Sequence, residues 1–145
     1  MIVGFGFTKI IAEKKTPAQG KVDVNNNISI KSIETTDFSL VKKKQDALKF
    51  IFEFMSKYEP SLGSIVFEGE IIYVDEPKNT KEILEYWNKE KKIKNEIMAS
   101  ILNAILSKCN IQALIISQEI NLPPPIPMPK VSINKQNDAD KGYIG

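Results

Sequence analysis

The residues Glu68 and Glu70 are the first candidates for chemistry in this chain of 145 residues. They stand two positions apart in a segment of alternating apolar residues, so both side chains point to one face if the segment is a strand. Paired carboxylates can perform general acid–base catalysis or hold Mg²⁺. Because no further carboxylates are nearby in the sequence, we interpret the pair as part of a solvated sheet face. Lys49 or Lys57 of the adjacent predicted strand would then be the cross-strand partner.

The single cysteine, Cys109, is the second candidate, as a nucleophile or a redox thiol. A thiol nucleophile needs a base, and the chain has no His. The absence of His also removes the Ser-His-Asp triad and the commonest metal ligand. One Cys cannot build a Cys/His zinc site, an iron–sulfur cluster or an intrachain disulfide. We therefore predict a non-enzymatic protein without metal or cofactor, and interpret Cys109 as a small, semi-buried apolar residue.

The basic and glycine-rich segments give no sign of nucleic-acid or nucleotide binding. All twenty basic residues are Lys and the net charge is +2, so the bidentate contacts that Arg makes to phosphate and guanine are excluded. The run at residues 42–44 has three Lys but no interleaved aromatic residue, and we interpret it as a solvated tip between strands. Gly4 and Gly6 do not complete G-x-G-x-x-G. They instead indicate a place where a neighbouring backbone or ring packs closely.

The sequence also indicates the cellular compartment of the protein. The N-terminal segment lacks the basic region and the uninterrupted apolar core of a secretory signal. No stretch approaches 18 apolar residues, so we expect no membrane insertion. A single free Cys is typical of a reducing compartment. Together these features predict a cytoplasmic protein.

The front half of the chain has the alternation that is typical of strands. We predict four of them, at residues 2–14, 22–40, 47–58 and 64–74, with a turn at residues 59–63. The run of three Asn at residues 25–27 interrupts the second, as a turn or a bulge. The third has the cleanest pattern, with one parity occupied by Leu48, Phe50, Phe52, Phe54 and Tyr58. None of the connections is long enough for a crossover helix. The segment therefore predicts a four-stranded antiparallel meander.

The back half changes to helical spacing. Asn79 is a candidate helix cap, and from Lys81 apolar residues recur at threes and fours, with a strict four-residue spacing at Ile93, Ile97, Ile101 and Ile105. This pattern predicts an amphipathic helix of about 28 residues. Residues 107–110 are a candidate break before a shorter helix at 111–119, and one continuous helix through residue 119 is the alternative. We expect Phe50, Phe52 and Phe54 to face a helix surface formed by Ile97, Ile101, Leu102 and Ile105.

Five of the eight prolines fall within residues 123–129. They must end the helix and favour an extended polyproline II conformation. The segment has two interpretations, a ligand for an aromatic groove of the SH3 or WW kind or a stiff strap that presses its apolar side chains onto the domain or onto a second subunit. We favour the strap, because apolar residues interleave with the prolines. The candidate partner-binding residues are Leu122, Pro123, Pro124, Pro125, Ile126, Pro127, Met128 and Pro129.

The order of elements resembles that of the SecB-type export chaperones. The likeness is closest over residues 109–130, where the short helix is followed by Asn-Leu-Pro-Pro-Pro-Ile-Pro-Met-Pro. The chain also resembles small archaeal proteins that end in a similar Leu-Pro-Pro-Pro-x-Pro stretch. The SecB-type resemblance implies a tetramer-forming, non-enzymatic protein that binds extended polypeptide. It implies no individual functional residue.

These observations predict one α+β domain over residues 1–133, followed by a disordered tail at 134–145. The domain comprises a sheet at 2–74, helices at 80–120 and the strap at 121–131. We expect a polypeptide-binding or assembly protein that self-associates as a dimer or tetramer, with a SecB-like chaperone as its specific form. A small adaptor or regulatory subunit, contacting a larger complex through the proline segment, is the alternative.

Overall fold

A four-stranded sheet is followed by two helices. The computed structural model describes residues 1–17, 20–40, 43–129 and 131, with side chains for all of these except 38–40 and 43–45. The predicted lysine tip at 42–44 and the predicted tail at 134–145 lie outside the residues whose side chains are described. The elements are β1 (Ile2–Lys14), β2 (Asp23–Leu40), β3 (Lys43–Glu59), β4 (Gly63–Asp75), α1 (Pro77–Glu90) and α2 (Asn95–Glu119). The α+β class and the antiparallel sheet are confirmed.

The order of the strands differs from a simple meander. It is β1-β4-β3-β2, so β1 pairs with β4 and not with β2. Lys14 at the end of β1 lies opposite Gly63, and Asp23 at the start of β2 lies opposite Glu59. The chain therefore leaves β1 beside the end of the β3–β4 hairpin, where the amide of Lys15 donates to the carbonyl of Leu62 at 2.8 Å. Because β2, β3 and β4 are consecutive neighbours and β1 lies beside β4, the result is a Greek-key arrangement.

The helical region is divided at a different place from the predicted one. α1 begins at Pro77, a residue suited to the first helical position, and Asn79 lies inside its first turn instead of capping it. α1 ends where Lys91 adopts a left-handed conformation with φ 54° and donates its amide to the carbonyl of Trp87. α2 then runs unbroken through Cys109. The expected break at residues 107–110 is therefore wrong, and the continuous alternative is correct for that segment.

The apolar parity predicted for β3 is confirmed. Phe50, Phe52 and Phe54 are fully buried, as are Ile101 and Ile105 of α2, and all five belong to one core. The expected helix surface is confirmed for Ile101 and Ile105, which share the core with the three Phe side chains, although α2 lies closer to β4 and β1 than to β3. The remaining predicted members of that surface, Ile97 and Leu102, are only half-buried.

Gly69 allows the sheet to close over its aromatic core. A Cβ atom at this position would lie 2.5 Å from Cζ of Phe52 and 2.5 Å from the carbonyl oxygen of Gly6. The space that this missing Cβ leaves on β4 is occupied by the ring of Phe52, which lies 5.4 Å from the ring of Phe5 on β1. The break in the β4 alternation at Gly69 is therefore a packing requirement of the core.

Candidate polypeptide-binding surfaces

The carboxylate pair lies on the open face of the sheet, which no described helix covers. Glu70 forms an ion pair with Lys49, with 3.6 Å between Oε2 and Nζ, as the cross-strand prediction expects. Glu68 lies opposite Lys9 on one side and Glu53 on the other. Among the described residues, no group of three or more His, Cys, Asp or Glu side chains has an arrangement that could hold a metal ion. This face therefore provides charge and no recognisable acid–base pair.

The thiol of Cys109 is enclosed in the core beneath α2. Burial raises its pKa to about 12, so the reactive thiolate is suppressed at neutral pH. Gly4 and Gly6 lie on β1 with Ile72 and Glu70 as their cross-strand partners, and they form no phosphate loop. Close packing is confirmed at Gly4, where a Cβ atom would lie 3.2 Å from Cγ1 of Ile72, but it is wrong at Gly6, where a Cβ atom would meet nothing within 4 Å. Cys109 is an apolar core residue as predicted, and it is fully rather than partly buried.

The proline segment begins immediately after α2. The amide of Leu122 donates to the carbonyl of Ser117 at 2.8 Å, which satisfies one of the free carbonyls at the helix end. The side chain of Leu122 is 6% exposed and belongs to the core. The segment is therefore anchored at its start by a helix-ending hydrogen bond and by a buried apolar side chain.

Side chains from three strands donate hydrogen bonds to the carbonyls of every second residue in this part of the chain, at positions 121, 123 and 125. Tyr58 Oη of β3 donates to the carbonyl of Pro123 at 2.6 Å, and Asn26 Nδ2 of β2 donates to the carbonyl of Pro125 at 2.8 Å. Lys14 Nζ of β1 donates to the carbonyl of Asn121 at 3.3 Å. Burial raises the pKa of Tyr58 to about 12, so its hydroxyl remains a donor at every ordinary pH.

The eight predicted partner-binding residues divide into an inner and an outer set. Leu122 and Pro125 are buried, and Pro123 and Ile126 are half-buried. The exposed set comprises Pro124, Pro127, Met128 and Pro129. The segment thus packs on its own domain, as the strap interpretation expects, and presents an outer surface of prolines and one Met. Contact of that surface with a partner stays a prediction.

The outer edge of β1 is a second candidate surface. β1 is an edge strand, and residues 2–8 contain no charged side chain. Ile10 and Ile11 are 45% and 39% exposed. The opposite edge strand, β2, has charged side chains at four of its described positions, Asp23, Lys31, Glu34 and Asp37. Residues 2–8 of β1 lack the charge that usually protects natural edge strands, whereas Lys9, Glu13 and Lys14 provide it in the second half, so the first half of β1 is the part suited to pairing with another chain.

The outer face of α2 is a third candidate surface. Residues 97–118 contain a single charged residue, Lys108, and Leu106, Ile111 and Ile115 are 39%, 61% and 48% exposed. α2 is long and apolar enough to cross a membrane by length and composition alone, with 22% of its apolar window buried. The expectation that no segment meets this criterion was too strict. The buried face of α2 nevertheless packs on the sheet, and core helices of globular domains meet the same criterion.

A cleft of about 520 Å³ lies where α1 meets the far ends of β2 and β3. Its polar lining includes Thr35, Asp37, Asp46 and Lys81, and its apolar lining includes Leu84. No sequence motif predicted it, because it arises from the meeting of two strand ends with the first turn of a helix. It borders residues whose side chains are not described, and it has no recognisable catalytic arrangement.

Comparison with known proteins gave few matches. No protein-family model matches the chain, and no curated protein matches it. Among solved structures, the chain is similar to the SecB-like chaperone Rv1957 of Mycobacterium tuberculosis, solved in complex with a ChAD peptide from the HigA1 antitoxin Rv1956. The TM-score is 0.47 at 12% sequence identity, over 92% of this chain and 91% of that one. The resemblance to archaeal proteins with a Leu-Pro-Pro-Pro ending stays a prediction.

Proposed function

We propose that this protein is a non-enzymatic polypeptide-binding and assembly protein that acts as a chaperone. It holds extended, apolar segments of other polypeptides against the outer face of α2 and the edge of β1. The observation that carries the proposal is the exposure of Ile111 and Ile115 on α2, among uncharged polar residues such as Ser107 and Gln118, in a run of 22 residues with a single charge. Exposed apolar surfaces of this kind are typical of binding sites.

The two surfaces lie on the same side of the domain. α2 packs over β1 and β4, and the hydrogen bond from Lys14 to Asn121 joins the end of β1 to the end of α2. An extended polypeptide can add a strand to the free edge of β1 through main-chain hydrogen bonds, which need no particular sequence. Its apolar side chains can then contact α2. This combination suits the recognition of many unfolded chains rather than one folded partner.

Self-association through the same surfaces is part of the proposal. In the absence of a client, the uncharged first half of β1 and the exposed Ile side chains of α2 favour pairing with another copy of the chain. We propose a dimer or tetramer, as expected from the sequence. A stable monomer in light scattering at high protein concentration would contradict this part of the proposal without affecting client binding.

The proposal is tested by the suppression of aggregation of an unfolded client protein. The wild-type chain should reduce light scattering of the client at near-equimolar ratio, and the double variant Ile111→Lys, Ile115→Lys should lose this effect. The control is Tyr86→Lys on α1, which changes a side chain of comparable exposure, 40%, on the other helix. Failure of the wild-type chain to suppress aggregation would overturn the proposal.

The exposed outer set of the proline segment supports a second candidate function. Pro124, Pro127, Met128 and Pro129 face solvent, so an adaptor role for this protein in a larger complex would use them. Replacing Pro123, Pro124 and Pro125 with Ala separates the two roles. A lower melting temperature with an isolated native partner still bound indicates a strap only, whereas loss of that partner at an unchanged melting temperature indicates an adaptor.

A further inference from the structure

We propose that the floor beneath the proline segment is a receptor site for extended, proline-rich peptides, and that residues 122–127 of the chain are its resident occupant. The floor is formed by Tyr58 and Ser56 of β3 and Asn26 of β2. These residues belong to β2 and β3, and none of them is part of the surface proposed above for unfolded clients, which is formed by β1 and α2. This inference goes beyond the proposed function and does not depend on it.

The floor offers hydrogen-bond donors to the main chain of the bound segment. Tyr58 and Asn26 both donate, and both donate to main-chain carbonyls of the bound segment, at 2.6 and 2.8 Å. A proline peptide offers carbonyls but no amide N–H at its prolines, so a floor of side-chain donors matches the polar groups of its alternate residues. A peptide with ordinary residues in the same positions would bring N–H groups that need acceptors. The floor therefore favours proline over other residues.

The side chain of Asn26 is held in position by Ser56, which has no other evident role. Ser56 occupies a place in the aromatic row of β3 and is fully buried. Its hydroxyl donates to Oδ1 of Asn26 at 2.6 Å, and this contact directs Nδ2 of Asn26 towards the carbonyl of Pro125. A buried hydroxyl that orients a hydrogen-bond donor is a feature of a preorganised binding site.

Leu122 is an apolar anchor at the start of the segment. Leu122 is 6% exposed, and the next carbonyl along the chain, that of Pro123, receives the Tyr58 hydrogen bond. The bound sequence therefore combines a leucine with prolines whose alternate carbonyls face the floor. The ligand class that fits is an extended peptide with an apolar residue followed by two or more prolines, in polyproline II conformation.

The segment of the chain itself competes with any such peptide. A tethered segment has an effective concentration of the order of millimolar, so a free peptide should bind weakly to the wild-type chain. Loosening the segment while leaving the floor intact should expose the site. We choose Leu122→Ser, which removes the anchor and leaves Tyr58, Asn26 and Ser56 unchanged.

The experiment titrates a fluorescent peptide with the sequence of residues 120–129 into full-length chains and follows its anisotropy. The peptide should bind the Leu122→Ser chain at least about tenfold more tightly than the wild type. Adding Asn26→Asp to the loosened chain should weaken binding by about tenfold or more, because Asp keeps the acceptor for Ser56 and replaces the donor to the peptide with an oxygen. A peptide with every proline replaced by Ser is the ligand control and should not bind measurably.

Two further variants keep the outcome clear. If Leu122→Ser does not fold, as judged by circular dichroism, the triple change of Pro123, Pro124 and Pro125 to Ala loosens the segment by a different route. The change Ile111→Lys, Ile115→Lys should leave peptide binding unaltered, which separates this site from the proposed client surface. Absence of binding to a folded, loosened chain, or binding that ignores Asn26→Asp, would overturn the inference.

Discussion

The hydroxyl of Tyr58 donates a 2.6 Å hydrogen bond to the carbonyl of Pro123, which lies 65 positions later in the chain. The bond joins the end of β3 to the segment that follows α2. It places an extended, proline-rich segment over the β2–β3 side of the sheet, while α2 covers β1 and β4. Because the proline-rich segment lies over β2 and β3 and α2 lies over β1 and β4, the edge of β1 and the outer face of α2 stay open to other chains.

Removing that hydroxyl should destabilise the folded chain. In Tyr58→Phe the carbonyl of Pro123 loses its donor in a partly buried site, and we expect the free energy of unfolding to fall by about 1–2 kcal/mol. Urea unfolding measures the change. Tyr86→Phe on the exposed surface of α1 is the control and should stay within about 0.5 kcal/mol of wild type. Equal effects of the two changes would show that the Tyr58 bond contributes nothing.

The glycine in β4 gives a sharper test of the core. Gly69→Ala places a methyl group 2.5 Å from the ring of Phe52 and from the carbonyl oxygen of Gly6, so we expect a loss of about 1–3 kcal/mol or failure to fold. Gly6→Ala is the matched control, because a Cβ atom there meets nothing within 4 Å. Thermal unfolding of both variants makes the comparison. A Gly69→Ala chain as stable as the Gly6→Ala chain would contradict the packing described here.

Stability should depend on acid pH through Asp75. The side-chain amide of Asn79 donates to Oδ1 of Asp75 at 3.0 Å, and this hydrogen bond is the largest influence that lowers the pKa of the carboxyl. The backbone N–H of Glu76 and the hydroxyl of Tyr73 also lower this pKa, whereas partial burial raises it. A lowered pKa in the folded state means that ionised Asp75 stabilises the fold above the unfolded value of about 4. This contribution should disappear as the pH falls through the lowered pKa.

Melting temperatures measured from pH 7 down to pH 2 test that dependence. Asp75→Asn should remove part of the acid-induced fall, and Asn79→Ala should reduce it by eliminating the strongest hydrogen bond to the carboxylate. If the melting temperatures of the wild type and of Asp75→Asn fall equally across this range, Asp75 is not the group responsible for the acid dependence of stability.

The thiol of Cys109 should report on opening of the core. With its pKa raised to about 12 by burial, the native chain should react with a maleimide at least about 100-fold more slowly than the same chain in urea. Labelling followed by mass spectrometry gives both rates. Rapid labelling under native conditions would mean that α2 detaches from the sheet, in conflict with a core position for this residue.

The aromatic alternation of β3 predicted its buried face correctly, because a single row of Phe at every second position has one simple explanation in an antiparallel sheet. The order of strands was not predictable from the same pattern. Nothing in residues 15–22 distinguishes a connection to a neighbouring strand from one that passes the end of a hairpin. Pairing of β1 with β4 is decided by contacts between residues about 60 positions apart.

The helix boundary shows a similar limit. Ile93 continues the four-residue spacing of α2, and it is buried at 7% exposure, yet it lies in the connection before the helix. Periodicity identified it as a core residue and misplaced it in a helix. The break itself depends on the left-handed backbone of Lys91, a conformation that sequence alone does not assign to lysine.

The candidate surfaces could be predicted only in part. The proline segment was visible in the composition, but its three hydrogen-bond donors come from Lys14, Asn26 and Tyr58, which no local motif connects. The outer face of α2 could not be distinguished from its buried face by sequence, because Ile residues occur on both. Only the position of the sheet on one side of the helix shows that Ile111 and Ile115 remain exposed.

The most direct test of polypeptide binding is the affinity for an unfolded chain, measured by the fluorescence anisotropy of a labelled, permanently unfolded polypeptide without a proline-rich stretch. The wild-type protein should bind it, and Ile111→Lys, Ile115→Lys should weaken the binding by at least about tenfold, or about 1.4 kcal/mol. The Tyr86→Lys chain should bind as the wild type does. Undetectable binding by the wild-type protein, or equal affinities for the wild type and the α2 double variant, would contradict the account.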